Sequence, residues 1–209
     1  MHTLIVYAHP SRRSYTYEMF RHLLKSLDQR GLPYEVSDLY QMSFKSDMDA
    51  QEYEREGFAR LNLALPADVQ AEHEKIRQAD GIVFLYPVWW SDCPAKLKGW
   101  FDRVYSVGYA YGHDQSQDAS MRMKTLKYGI VLCTAGHPNT FLEEIGIAES
   151  MRKVMVDDRL GKRFEKKEMI ILGGTLDKEA VRPHHLRRVA AVGESISEYK
   201  REAAKIARN

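Results

Sequence analysis

Only two cysteines, Cys93 and Cys133, occur in 209 residues. That is too few for a disulfide framework and points to a reducing cytoplasmic setting. Long apolar runs are lacking as well. The longest, near residues 82–90 and 129–133, fall far short of the roughly 20 residues a membrane-spanning helix needs. The chain enters an apolar stretch at Leu4 with no charged segment ahead of it, which argues against a signal peptide. There is no excess of charge of one sign. The 31 Lys and Arg and 29 Asp and Glu leave a net charge of +2, too small to pull the protein towards nucleic acid. Neither Gly-x-Gly-x-x-Gly nor Gly-x-x-x-x-Gly-Lys follows the first strand candidate, which disfavours a Rossmann-type nicotinamide site and an ATPase. His9, His113, His137, His184 and His185 show no ligand spacing, so no metal is expected. No linker, repeat or low-complexity segment interrupts residues 1–209, and a single domain is expected.

What is present alternates. Short apolar strands are expected at Thr3–Ala8, Tyr34–Leu39, Gly81–Tyr86, Tyr128–Cys133 and Glu168–Leu172. Helical periodicity falls at Tyr15–Gln29, Ala67–Gln78, Pro94–Tyr105, Phe141–Val156 and His184–Ala207. Residues 41–66 are polar and acidic and read as an irregular surface excursion. Five strand–helix alternations predict an α/β fold with a doubly wound, five-stranded parallel sheet of order 2-1-3-4-5 in three layers.

Ligands bind beyond the carboxyl ends of the strands in such a sheet. Three loops gather there. The first, His9–Thr16, offers hydroxyls, arginines and a helix amino terminus, which suit a phosphate, although capping by Ser11 or Ser14 accounts for it as well. The second, Pro87–Pro94, holds Trp89 and Trp90, two of only three tryptophans in the chain. They read as walls for a flat ligand or as core. The third, Thr134–Phe141, has the small residues that let a backbone approach a ring. Trp100 falls on an apolar helix face with Leu97 and Phe101. Cys93 and Cys133 read as small apolar residues, and His184-His185-Leu-Arg-Arg188 as a solvated basic patch.

Four segments together carry a family resemblance. They are Leu4-Ile-Val-Tyr-Ala-His-Pro10 with Ser14-Tyr15, Ser37-Asp-Leu-Tyr-Gln-Met-Ser-Phe44, Ala79 through Lys96-Leu-Lys-Gly-Trp-Phe-Asp-Arg-Val-Tyr105, and Gly108-Tyr-Ala-Tyr-Gly-His113. They resemble the flavodoxin-like NAD(P)H:quinone oxidoreductases, the family of DT-diaphorase and its shorter bacterial relatives. The resemblance implies a cytoplasmic homodimer that binds FAD or FMN. It would pass a hydride from NADH or NADPH through flavin N5 to a quinone-like acceptor in a two-step exchange. A flavin-binding regulatory subunit of a potassium-efflux system is the alternative it offers. By resemblance His9 contacts the flavin phosphate, with Ser14, Tyr15 and Thr16 beside it. Pro87, Val88, Trp89 and Trp90 line the ring, and Thr134, Ala135, Gly136 and Phe141 close its other edge. Tyr111 and His113 border the pocket where nicotinamide and quinone bind in turn, contributed across the dimer interface. Longer members carry histidine where Ile147 stands and tyrosine where His113 stands, so their proton-relay pair is not expected here.

Overall fold

The computed structural model describes residues 1–112 and 122–206, and only the backbone of residues 203, 204 and 206. Five strands form one parallel sheet of order β2-β1-β3-β4-β5: β1 Thr3–Tyr7, β2 Tyr34–Asp38, β3 Gly81–Pro87, β4 Leu126–Thr134 and β5 Phe164–Leu172. This is the expected order. Val6 aligns with Ser37 on one side and Phe84 on the other, and Phe84 aligns with Val131. Side chains alternate across the sheet. Ile5, Tyr7, Val83, Leu85, Ile130 and Leu132 face one apolar cluster, and Leu4, Val6, Ile82, Phe84, Val131 and Cys133 face another. Helices α1 (Tyr15–Asp28) and α7 (Lys178–Ile206) cover the first face; α3 (Ala67–Gln78) and α4 (Ala95–Val104) cover the second. Both faces are therefore dry, which is why β1, β3 and most of β4 read as continuous apolar runs. Trp100 is fully buried on α4 against Phe84 and Phe101, as its helical position suggested.

Four elements depart from expectation. Residues 41–66 are not irregular throughout: α2 spans Ala50–Gly57 and opens with a capping box in which Asp49 and Glu52 satisfy each other's backbone N–H. The expected helix at 141–156 is three pieces. Helix α5 (Asn139–Glu144) ends before Gly146, which adopts φ +74° and frees the chain to turn into α6 (Ile147–Arg152). A π-helical segment, Lys153–Leu160, follows and stops at Gly161. Strand β5 begins at Phe164, earlier than the apolar pattern suggested, because Glu165, Lys166 and Lys167 occupy an exposed sheet margin. Helix α7 starts at Lys178 and runs through Pro183.

The excursion is fastened to α4. Arg103 reaches Glu52 Oε1 at 2.6 Å, both Asp68 oxygens at 2.6 and 2.9 Å, and the Lys45 carbonyl at 2.7 Å. Glu72, fully buried, accepts from Ser37, Lys75 and Trp100 Nε1. Gly99 lets the two segments touch, since a Cβ there would lie 2.1 Å from the Ser46 carbonyl oxygen. Alanine is the better helix former by about 1 kcal/mol, yet overpacking costs typically 1–3 kcal/mol. Gly99→Ala is expected to be destabilising, with a lower urea midpoint; an unchanged or raised midpoint would show that residue 46 yields freely.

Candidate active site

The carboxyl ends of β1, β3 and β4 bring the three predicted loops to one edge, with Thr134 at their centre. Its hydroxyl meets Thr16 Oγ1 at 2.8 Å, and its carbonyl accepts from Val88 N at 2.8 Å. One of the two buried hydroxyls donates to the other, and the accepting one keeps its own O–H for a further partner.

The first loop is shaped by His9. Its Nδ1 accepts from Ser11 N at 2.9 Å, which leaves Nε2 as the N–H donor. Burial pushes this imidazole below its ordinary value, so it is neutral at pH 7. Ser14 caps α1, accepting from Tyr17 N and donating to the Ser11 carbonyl. Its hydroxyl is committed to the cap, the plainer of the two roles open to it. Tyr15 turns its hydroxyl to His185 Nδ1 at 2.8 Å. His185 is buried, not part of a solvated patch. Backbone donors are open as well. Among the described residues no protein group accepts the N–H of Tyr15 or Thr16. Two open N–H groups at the start of a fourteen-residue helix, with a neutral imidazole donor nearby, form an anion cradle.

The second loop contains a tight turn. Trp89 N donates to the Asp92 carbonyl at 2.9 Å and Asp92 N to the Trp89 carbonyl at 3.2 Å. Its central residues, Trp90 and Ser91, adopt φ +49° and +62°. Such primed turns ordinarily carry Asn and Gly. Trp89 sets its ring edge-on to His9 at 6.0 Å and is 41% exposed, whereas Trp90 is fully exposed. Pro87 ends β3 as a buried residue.

The third loop supplies more donors. Ala135 is committed to the Leu172 carbonyl, but among the described residues the N–H groups of Gly136 and His137 have no protein acceptor. Val88, Trp90 and Ser91 on one side and Ala135, Gly136 and His137 on the other bound a cleft of about 250 Å³, floored by Leu142 and Ile147. That volume is below the roughly 300–1,000 Å³ that encloses a ligand, so an occupant keeps one face open. Phe141 stands at the rim, 4.7 Å from the His137 ring.

The other expected residues lie elsewhere. Tyr111 does not line this cleft. It closes a turn with Gly108 and Val107 and has Glu56 and Arg55 as charged neighbours. His113 lies outside the described residues. Burial pushes the Cys93 thiol up to about 12 and Cys133 higher, which excludes a thiolate nucleophile and agrees with their reading as small apolar residues. Among the described residues no cluster of potential metal ligands occurs, and no helix is long and apolar enough to cross a membrane. Sequence reasoning missed Arg159, which grips Asp92 from 67 residues away.

A family model described as a flavodoxin-like fold matches residues 1–191. The chain is 31% identical over 159 residues to an uncharacterized NAD(P)H oxidoreductase of Haemophilus influenzae, covering 75% of each protein. It is 36% identical over 130 residues to the ribosyldihydronicotinamide dehydrogenase-like protein traD of Penicillium crustosum, covering 56% of this chain and 49% of that one. The match thus spans about half the length of that fungal relative. Among solved structures, the NAD(P)H:quinone oxidoreductase from Methanothermobacter marburgensis has a TM-score of 0.86 at 44% identity, covering 94% of this chain and 97% of that one. Sheet order, loop placement and these relatives agree: the chain belongs to the flavodoxin-like NAD(P)H:quinone oxidoreductase family.

Proposed function

We propose that this protein is a flavin-dependent NAD(P)H dehydrogenase acting on quinones, built as one domain over residues 1–209 and working as a cytoplasmic homodimer. The observation that carries the reading is the division of labour at the sheet edge. A cradle of open N–H groups at Tyr15 and Thr16 adjoins, through the Thr16–Thr134 contact, a slot bounded by Val88, Trp90, Leu142 and Ile147 whose far side presents the open N–H groups of Gly136 and His137. A phosphorylated, planar, hydrogen-bond-accepting ring fits that set, as an isoalloxazine with its ribityl phosphate does. Bound there, a flavin supplies two-electron hydride chemistry.

The protein's own contributions follow from the residues. His9 Nε2 and the α1 amides would hold the phosphate. Val88, Trp89 and Trp90 would keep water from one face of the ring. Gly136 and His137 would donate to ring acceptors that gain negative charge on reduction. The cleft is open on one face, which leaves room for nicotinamide and quinone to dock in turn. Tyr111, remote from the cleft of its own chain, would serve that of a second copy.

Anaerobic absorbance spectra of the purified protein with NADH or NADPH test the reading. A flavin spectrum that bleaches on addition and recovers with a quinone is expected. A protein that takes up no flavin when FMN and FAD are supplied is incompatible with it. Trp90→Ala, which removes a fully exposed residue and leaves the core untouched, is expected to weaken flavin binding about tenfold through lost ring contact. Unchanged affinity would remove Trp90 from the site.

A further inference from the structure

We propose that Arg159, acting through Asp92, is a positioning residue that holds the Trp89–Asp92 turn in the shape a flavin ring requires. The inference rests on the flavin reading above. Trp90 and Ser91 both sit in the left-handed region, where side-chain-bearing residues are strained and stay only if their surroundings hold them. Neither side chain does so, since both project to solvent. The restraint comes from Arg159, whose guanidinium spans the Asp92 carboxylate with bonds of 2.8 and 3.0 Å. Planar two-point pairing fixes direction as well as distance.

Arg159 is itself well anchored. It is buried, its Nη1 lies 2.9 Å from Met155 Sδ and 3.4 Å from Cys93 Sγ, and its guanidinium lies over the Phe101 ring at 5.2 Å. It belongs to the π-helical segment, a geometry that is rare and concentrated at functional sites. Partial burial pushes the Asp92 carboxyl up, but the Arg159 guanidinium and the Cys93 N–H bring it below the usual carboxylate range. The pair is therefore charged on both sides at neutral pH. The Asp92 end of the turn is tied to the protein interior, and the exposed Trp90 is held at the cleft by that tie.

The test uses Arg159→Met and Asp92→Asn, the second chosen because residue 92 is half-exposed and asparagine keeps the shape and one acceptor oxygen for Arg159 while removing the charge. Riboflavin and FMN are titrated into each flavin-free protein, and amide exchange is followed without flavin. Loss of a charged hydrogen-bonded pair is expected to weaken both ligands by about tenfold, and by the same factor, because the phosphate cradle lies on another loop. Exchange at Trp89 and Asp92 should quicken while β1 and β3 keep their protection. The double variant should be no worse than either single one, and Arg159→Lys should recover part of the affinity. Unchanged riboflavin affinity, or unchanged exchange in the turn, overturns the proposal. So does loss of protection throughout the sheet in both variants, which would make the pair a general core contact. A wild-type protein that binds no flavin overturns the functional reading itself, and that result is visible before any variant is made.

Discussion

Arg103→Met is expected to lower stability by about 3–5 kcal/mol, the range for breaking one side of a buried ion pair. For a chain of this size that is a fall of roughly 10 °C in Tm. The Arg103 side chain is 1% exposed, and it is shared between Glu52, 8% exposed, and Asp68. Methionine fills much of the volume but leaves Glu52 with Lys45 alone as a cationic partner among the described residues and deprives the Lys45 carbonyl of its donor. The loss should be local before it is global. Residues 45–68 are held to α4 largely by this guanidinium, so proteolysis there should quicken while the cleft at the sheet edge, on other loops, still forms. Arg103→Lys keeps the charge but not the two-point grip on Asp68 and should fall between. An unfolding free energy within about 1 kcal/mol of wild type for Arg103→Met, the worth of a surface pair, would show that the network is dispensable.

Acid should weaken the protein through His73. Burial is the main cause that brings this imidazole from 6.5 down to about 4, with Arg55 and Arg77 adding to it and the Val104 carbonyl opposing. The ring donates from Nε2 to that carbonyl at 2.8 Å and stacks on Tyr109 at 3.6 Å. Between pH 6.5 and pH 4 the unfolded chain binds a proton that the native state refuses, so stability falls as pH falls. One shifted site over that interval amounts to roughly 3 kcal/mol. The measurement is the difference in unfolding free energy between pH 7 and pH 4 for wild type and His73→Gln, whose amide can still reach Val104. The glutamine variant should lose much less on acidification. Parallel pH profiles would mean that the ring is protonated in the native state.

The sheet was legible because both of its faces are buried, and a strand dry on two sides leaves an apolar run such as Ile82–Tyr86 that little else imitates. Strand β5 was legible only in its second half. Its first half is charged because it is a margin, and composition there resembles a loop. Helix α2 was overlooked for a different reason. Its apolar content is low, and what stabilises it is the Asp49–Glu52 box and the ionic link to Arg103, the first a signal of two residues and the second invisible before folding. The site divides in the same way. The three loops could be named because ligands gather beyond the carboxyl ends of parallel strands, whereas the parts given to His9, Thr134 and Trp90 come from the family resemblance. The roles of Ser14, Thr16 and Tyr15 could not, because whether a hydroxyl faces a ligand, a cap or another side chain depends on partners such as Thr134 and His185, more than 100 residues away. The break of the expected helix at 141–156 hangs on the backbone of Gly146, and a glycine in a helical pattern does not announce its φ.

The charged start of β5 has a consequence for how copies of this chain can meet. A parallel sheet with two free margins invites another strand to add itself, which is the route to fibres as well as to some dimers. At one margin Glu165 pairs with Lys127 of the neighbouring strand β4, Lys166 with Glu202 of α7, and Lys167 holds the Gly161 carbonyl. A newcomer that was a second copy of this edge would bring the same charged residues alongside. At the other margin β2 is only five residues long. Charge at one border and brevity at the other both weigh against edge-to-edge pairing, which favours helices and loops as the surfaces through which copies of this chain would meet.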